Sequence, residues 1–238
     1  MLKEVAENSK QDKIKLKDSL SDISHQLKTP LTSVTILVDN IIENPDMEEQ
    51  TRIEFAKDIK REIVNINFLV QSLLKLSKLD ANSVKFINED VEIEKLIKES
   101  IKNVAVLSDL KNVLIKVGGD KKSKVYCDFK WQVEAITNIL KNAIEHSQIN
   151  SNIQINYEHN KVYSKIEIID SGIGISKKDL PHIFERFYKG ENSSSESVGI
   201  GLALAKSIIE SNNGNIYVES EFGKGTKFII KYNIGGKK

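Results

Sequence analysis

His25 lies two residues from both Ile23 and Leu27, so each of those sits about 200° around a helix from it. Its imidazole therefore points away from the apolar seam they define. A neutral ring nitrogen placed so is a potential nucleophile, and an outward histidine is equally an ordinary surface residue. Pro30, five residues on, removes the hydrogen bond to the Gln26 carbonyl and costs about 3 kcal/mol relative to alanine, which predicts a bend just below His25. Asn138 and Asn142 stand i, i+4 on a helix and share a face with Ala135 and Glu145. Their amide oxygens suit a hard cation such as Mg²⁺, or hydrogen bonds to a neighbouring loop. Asp170-Ser-Gly172-Ile-Gly174 follows the apolar run Ile166–Ile169. An aspartate at a strand end can accept a hydrogen bond from an exocyclic amine, and the glycines let the backbone approach a flat ring; a plain turn is the alternative. Gly199-Ile-Gly201-Leu202 opens a helix whose free N–H groups and dipole suit a phosphate. Arg186, one of three arginines, can reach a terminal phosphate or form a surface ion pair.

The elements that position these residues divide the chain in two. Residues 1–80 contain two prolines and no glycine; all twelve glycines lie after residue 117. Leu16, Leu20, Ile23, Leu27, Leu31, Val34, Val38 and Ile41 make a coiled-coil-like seam, and Glu43-Asn44-Pro45-Asp46 ends that helix. Phe55, Ile59, Ile63, Ile66, Val70 and Leu73 mark a second helix. Two such helices form a hairpin that cannot cover both seams, which predicts a two-fold dimer and a four-helix bundle. From residue 84 the periods alternate. Strands are expected at Val84–Ile87, Val113–Val117, Val125–Cys127, Ile153–Tyr157, Val162–Ile169, Ile216–Ser220 and Thr226–Tyr232. Helices are expected at Ile93–Leu107, Trp131–His146 and Gly201–Ser211, on one face of the sheet. Glu191–Ser197, with four serines in seven residues, reads as a mobile loop.

Composition limits the function classes. Thirty-five basic residues balance 34 acidic ones, which leaves no global electrostatic basis for binding nucleic acid. A single cysteine, Cys127, excludes a disulfide framework and a cysteine zinc site. No apolar run approaches the length of a membrane span and no signal peptide opens the chain, so it reads as a soluble polypeptide of a reducing compartment.

The order and spacing of these stretches carry a resemblance. Leu20-Ser-Asp22-Ile-Ser-His25-Gln26-Leu-Lys-Thr29-Pro30 resembles the H box of bacterial two-component sensor histidine kinases. Asn138-Ile-Leu-Lys-Asn142-Ala-Ile-Glu-His-Ser is similar to their N box, and Asp170-Ser-Gly172-Ile-Gly174 to their G1 box. Ile183-Phe184-Glu-Arg186-Phe187-Tyr resembles the F box, Ser197-Val-Gly199-Ile-Gly201-Leu202 the G2 box, and Gly223-Lys-Gly225-Thr the closing glycine motif. The resemblance implies a dimerisation and histidine-phosphotransfer domain over 1–82, followed by an ATP-binding α/β sandwich of the Bergerat type over 83–238. It implies that His25 accepts the γ-phosphoryl group of Mg-ATP and passes it to an aspartate of a response regulator. By the same likeness Asn142 holds Mg²⁺ with Asn138 beside it, and Asp170 reads the adenine amino group while Gly172 and Gly174 admit the base. The likeness also implies that residues 189–198 are an ATP lid, with Gly199 and Gly201 at its hinge and cradle and Phe184 and Phe187 docking its base. The chain is then the cytoplasmic part of a membrane protein, with Leu2–Lys17 ending a connecting helix.

Two departures alter the expected chemistry. Where the family carries a carboxylate after the histidine, this chain has Gln26, which takes no proton at neutral pH. Losing a general base costs about 10²–10⁴ in rate, so a slow autokinase is expected unless Asp22 substitutes. Thr29 matches the position that orients water in members that dephosphorylate their regulator. Glu145 stands where the family often has a base near the phosphates; it repels ATP or faces elsewhere, and His146 can compensate in part. His146, His159 and His182 are otherwise read as structural. The rival readings are another ATPase of the same superfamily, which has no use for His25, and a phosphatase-dominant or non-kinase dimeric module that binds the regulator.

Overall fold

The computed structural model describes residues 2–190 and 199–233, with side chains from Ser21 onward. The expectations for Leu16, Leu20 and the serine-rich lid at 191–198 fall outside that description. The residues divide into two compact units between Leu73 and Leu74.

The first unit is a helical hairpin. α1 spans Leu2–Glu43 and continues through Pro30, and α2 spans Glu49–Asp80. The turn between them is held by the Met47 N–H donating to the Asn44 carbonyl at 3.0 Å and by Arg52, whose guanidinium bonds the Pro45 and Met47 carbonyls. Of the seam residues, Ile23, Leu27, Val34 and Ile41 are half-buried, while Leu31 and Val38 are exposed. Other apolar side chains of the hairpin stay uncovered, Ile36 at 54%, Ile42 at 70% and Ile63 at 47% exposure.

The second unit begins inside α2, whose last residues include the buried Leu76 and Leu79. It continues with β1 (Asn88–Glu92), α3 (Ile93–Leu110), β2 (Leu114–Gly119), β3 (Lys124–Asp128), α4 (Phe129–His146), β4 (Asn152–His159) and β5 (Tyr163–Asp170). α5 (Gly201–Ser211), β6 (Gly214–Glu221) and β7 (Gly225–Asn233) complete it. Five strands form a sheet in the order β2-β4-β5-β7-β6, with β2 parallel to β4 and every other pair antiparallel. β1 and β3 pair separately. The core lies between the helices and one sheet face, where Ile153, Ile155, Ile166, Ile168, Phe228 and Ile230 alternate inward. The opposite face carries charge: Lys165 pairs with Glu158 and Glu167, and Lys227 with Glu167 and Glu219. Helices on one face of a mixed sheet match the expected class.

One strand lies elsewhere than expected. Val84–Ile87 is not a strand; β1 forms four residues later, where Asn88–Glu92 pairs with β3. The segment Asn-Glu-Asp-Val-Glu buries only Val91, so no apolar alternation announces it. Backbone pairing places it, aided by the Ile87 N–H donating to Asp128 Oδ2 at 2.8 Å.

Candidate active site

Asp170 ends β5 and is buried. Its Oδ1 accepts two backbone hydrogen bonds, from the Gly172 N–H at 2.9 Å and the Thr226 N–H at 3.2 Å. Oδ2 has no partner among the described residues, and Asp170 lines a cavity of about 100 Å³. Burial raises the carboxyl above its ordinary value, and the two backbone donors oppose that shift. The result is one locked oxygen and one open acceptor, suited to an N–H donor entering the cavity.

Asn142 and His146 bring one face of α4 to the same cavity, Leu202 adds the start of α5, and Thr226 the start of β7. His146 is held neutral, because burial lowers its imidazole below its usual value more than Glu145 and Asp170 raise it. The sequence marks His146 as structural; in the structure it lines the cavity. The spacing could have shown this, since 142 and 146 stand one helical turn apart. Asp179 was also missed: it lines the cavity, accepts from the Tyr188 hydroxyl at 2.7 Å and from Ser176 Oγ at 2.9 Å. Nothing in its sequence neighbourhood signals that burial.

The glycines serve the protein's own backbone. A Cβ on Gly172 would fall on the His146 carbonyl oxygen, and one on Gly174, at φ +66°, on the Glu221 carbonyl oxygen. The Ile173 N–H donates to that His146 carbonyl at 3.3 Å, and the Gly223 N–H to the Ile173 carbonyl at 2.7 Å. The Asp170–Gly174 loop is thereby clamped between α4 and the β6–β7 turn. Close approach to a flat ring is therefore not what demands glycine here, although Gly174 lines the cavity. Gly199 has φ +74°, and a Cβ there would lie 2.6 Å from the Tyr188 carbonyl oxygen. Its own carbonyl accepts from the Phe187 N–H at 2.8 Å, and Phe187 is itself left-handed at φ +63°. A bulky residue held there costs about 1–3 kcal/mol, a strain typical of ligand clamps. Phe184 packs edge-on against Phe228.

Asn138 turns away from the cavity. It is buried, its Nδ2 donates to the Glu134 carbonyl at 3.0 Å, and its Oδ1 stands 3.2 Å from where a Cβ on Gly201 would be. Gly201 thus lets α5 approach α4. No side chain caps the N-terminus of α5. Arg186 does not reach the cavity; its Nη2 binds both oxygens of Asp80 at 2.6 and 2.7 Å. This is the surface ion pair that the sequence also allows, and in this structure it occupies the guanidinium. Glu145 also faces elsewhere, 3.6 Å from Lys141 Nζ. Cys127 is buried with its thiol pushed up to about 12, so it stays protonated and inert.

Among the described residues no cluster of three or more acidic, histidine or cysteine side chains could hold a metal alone. Asn142 fits a different arrangement. Its amide lies on the cavity wall without a described partner, and Mg²⁺ is commonly held by few protein oxygens plus phosphates and water.

In the hairpin, His25 is exposed on α1, as its spacing predicts. Asp22 and Thr29 are exposed to either side of it, and Gln26 is half-buried. Thr29 Oγ1 approaches the His25 carbonyl at 3.4 Å.

Comparison with known proteins agrees with both units. Residues 15–82 match the His Kinase A (phospho-acceptor) domain, and residues 128–235 the histidine kinase-, DNA gyrase B-, and HSP90-like ATPase family. The chain is 32% identical over 225 residues to sensor histidine kinase YclK of Bacillus subtilis (strain 168), covering 92% of this chain and 46% of that protein. The chain belongs to the sensor histidine kinase family. It spans about half the length of the curated relatives it matches. Its fold is shared with Acinetobacter baumannii histidine kinase AdeS, at a TM-score of 0.75 and 22% identity over 89% of this chain and 98% of that one. ShkA in complex with AMPPNP superposes at 0.66, with 18% identity, 90% of this chain and 45% of that one covered. ThkA in complex with response regulator protein TrrA also superposes at 0.66, with 19% identity, covering 92% and 61%.

Proposed function

We propose that the chain is the catalytic core of a two-component sensor histidine kinase that autophosphorylates His25 from Mg-ATP and passes the phosphoryl group to an aspartate of a response regulator. The open Oδ2 of Asp170 in the α4–β5 cavity carries the reading, because it is an acceptor placed for the adenine amino group. Asn142 would hold Mg²⁺, which supplies charge neutralisation at the phosphates. Leu202, Gly199 and Gly201 shape the phosphate end, where the uncapped α5 offers N–H groups to an anion. Asn138 supports α5 from behind. A His25 ring nitrogen attacks the γ-phosphorus, the bond to the ADP oxygen breaks, and the imidazole proton leaves to solvent or Asp22, since Gln26 cannot take it. Thr29, one turn after His25, would orient water for a second duty, removal of phosphate from the regulator.

The phosphotransfer domain covers residues 1–82 and the ATP-binding domain 83–238. The complexes of ShkA with AMPPNP and ThkA with TrrA support the nucleotide and the regulator as partners. The uncovered apolar residues of the hairpin support a homodimer closing a four-helix bundle. No described helix is long and apolar enough to cross a membrane.

Incubation with γ-labelled ATP and Mg²⁺ tests the reading. Label that is acid-labile, base-stable and absent from His25→Ala is expected. Unlabelled protein that binds nucleotide and still dephosphorylates a phosphorylated regulator would favour the phosphatase reading that Gln26 leaves open.

A further inference from the structure

Lys111 sits outside the nucleotide cavity yet is bound to its wall. It is the C-cap of α3, and its carbonyl accepts from the Asn150 N–H at 3.1 Å. Its half-buried side chain crosses to the end of α4, where Nζ donates to the carbonyls of Glu145 at 2.7 Å, Ile144 at 3.2 Å and Ser147 at 3.3 Å. α4 ends on Ser147 in an extended conformation, without the left-handed residue that often satisfies final carbonyls. Its last turn keeps one bond of its own, from the Ser147 N–H to the Ile144 carbonyl at 3.2 Å, and its carbonyls otherwise go to two partners outside the helix. Residues 144, 145 and 147 go to Lys111 on one side. His146 goes to the Ile173 N–H, in the loop that carries Asp170, on the other.

We propose that Lys111 is a positioning residue for the nucleotide pocket, fixing the last turn of α4 so that His146 and the Asp170–Gly174 loop keep their places. The role rests on the nucleotide reading given above. Three diverging carbonyls match the three N–H donors of an ammonium, whereas the flat fork of a guanidinium does not. The positive charge also lies at the negative end of the α4 dipole and counts among the influences keeping His146 neutral. Glu145 and Asp170 act on His146 in the opposite sense, and burial in the same sense as Lys111.

Lys111→Met and Lys111→Arg in the full chain test this. In Lys111→Met, Mg-ATP affinity is expected to fall at least tenfold by calorimetry, with the autophosphorylation rate at saturating ATP within about twofold of wild type. The His146 titration midpoint, followed by NMR of the imidazole without nucleotide, is expected to rise. Lys111→Arg, which keeps the charge, should restore the midpoint but only part of the affinity. A folded Lys111→Met with wild-type affinity overturns the proposal, as does an equal loss of affinity and saturating rate. Should Met prevent folding, Lys111→Gln, with two donors and no charge, takes its place under the same criteria. Wild type that binds no Mg-ATP would sink the nucleotide reading itself; an unmoved His146 midpoint would sink the role of Lys111 alone.

Discussion

Asp170 keeps one carboxylate oxygen for the protein and one for the cavity, which makes a single-atom replacement informative. In Asp170→Asn the amide oxygen can still serve Gly172 and Thr226, while the NH₂ group meets an incoming amine donor to donor. Losing a charge-assisted hydrogen bond costs about 1.5–3 kcal/mol, so ATP affinity should fall roughly 10- to 100-fold. Removing a buried charge should at the same time leave the melting temperature no lower than wild type, which calorimetry reads directly. His146 gives a pH signature. Its imidazole is held below the ordinary 6.5 by burial, so as pH falls below that value the unfolded chain takes the proton first. Stability is therefore full above pH 6.5 and declines as pH drops toward the folded value. In His146→Gln the difference in denaturation midpoint between pH 7 and pH 5 should shrink; an unchanged difference would place the ring's proton chemistry outside folding. At His25 the missing carboxylate predicts that Gln26→Glu speeds autophosphorylation, by about tenfold or more, and a steady or slower rate would assign proton removal elsewhere.

The α4 face and the loop after β5 show which parts of the site could be read in advance. Gly174→Ala must adopt φ +66° and push into the Glu221 carbonyl, so it should destabilise the second unit by about 1–3 kcal/mol and weaken ATP binding with it. Denaturant titration beside a binding isotherm separates the two effects. Asn142 lies on the cavity wall, on a regular element whose period is legible in the sequence. Asn138, one turn earlier on the same face, binds its own helix, since α5 covers it there; a contact between two elements distant in sequence has no period to announce it. Arg186 was ambiguous for the same reason, as its partner Asp80 stands 106 residues away. β1 was misplaced because it is held by ladder hydrogen bonds to β3 rather than by apolar side chains. Motifs thus point to candidate residues, and packing decides which of them face the cavity.

For the whole molecule, the hairpin carries apolar side chains that its own two helices leave uncovered. If a second copy covers them, Ile63→Glu should convert a dimer into a monomer in sedimentation at micromolar concentration, with Val38→Glu doing the same; wild type sedimenting as a monomer would refute the pairing. The glycine pattern has its own consequence at this scale. Gly172 and Gly174 are demanded by the chain's carbonyls and Gly201 by the approach of α5 to α4, so the architecture of the second unit requires each of them whether or not a ligand is bound. A descendant that had abandoned nucleotide chemistry would still be under selection to retain those glycines. In such degenerate relatives the first positions free to drift would be Asn142 and then Asp170, since the fold uses only one of the Asp170 carboxylate oxygens and no described residue binds the Asn142 amide. Those two residues, not the glycines, are the record of whether a chain of this design is still a working enzyme.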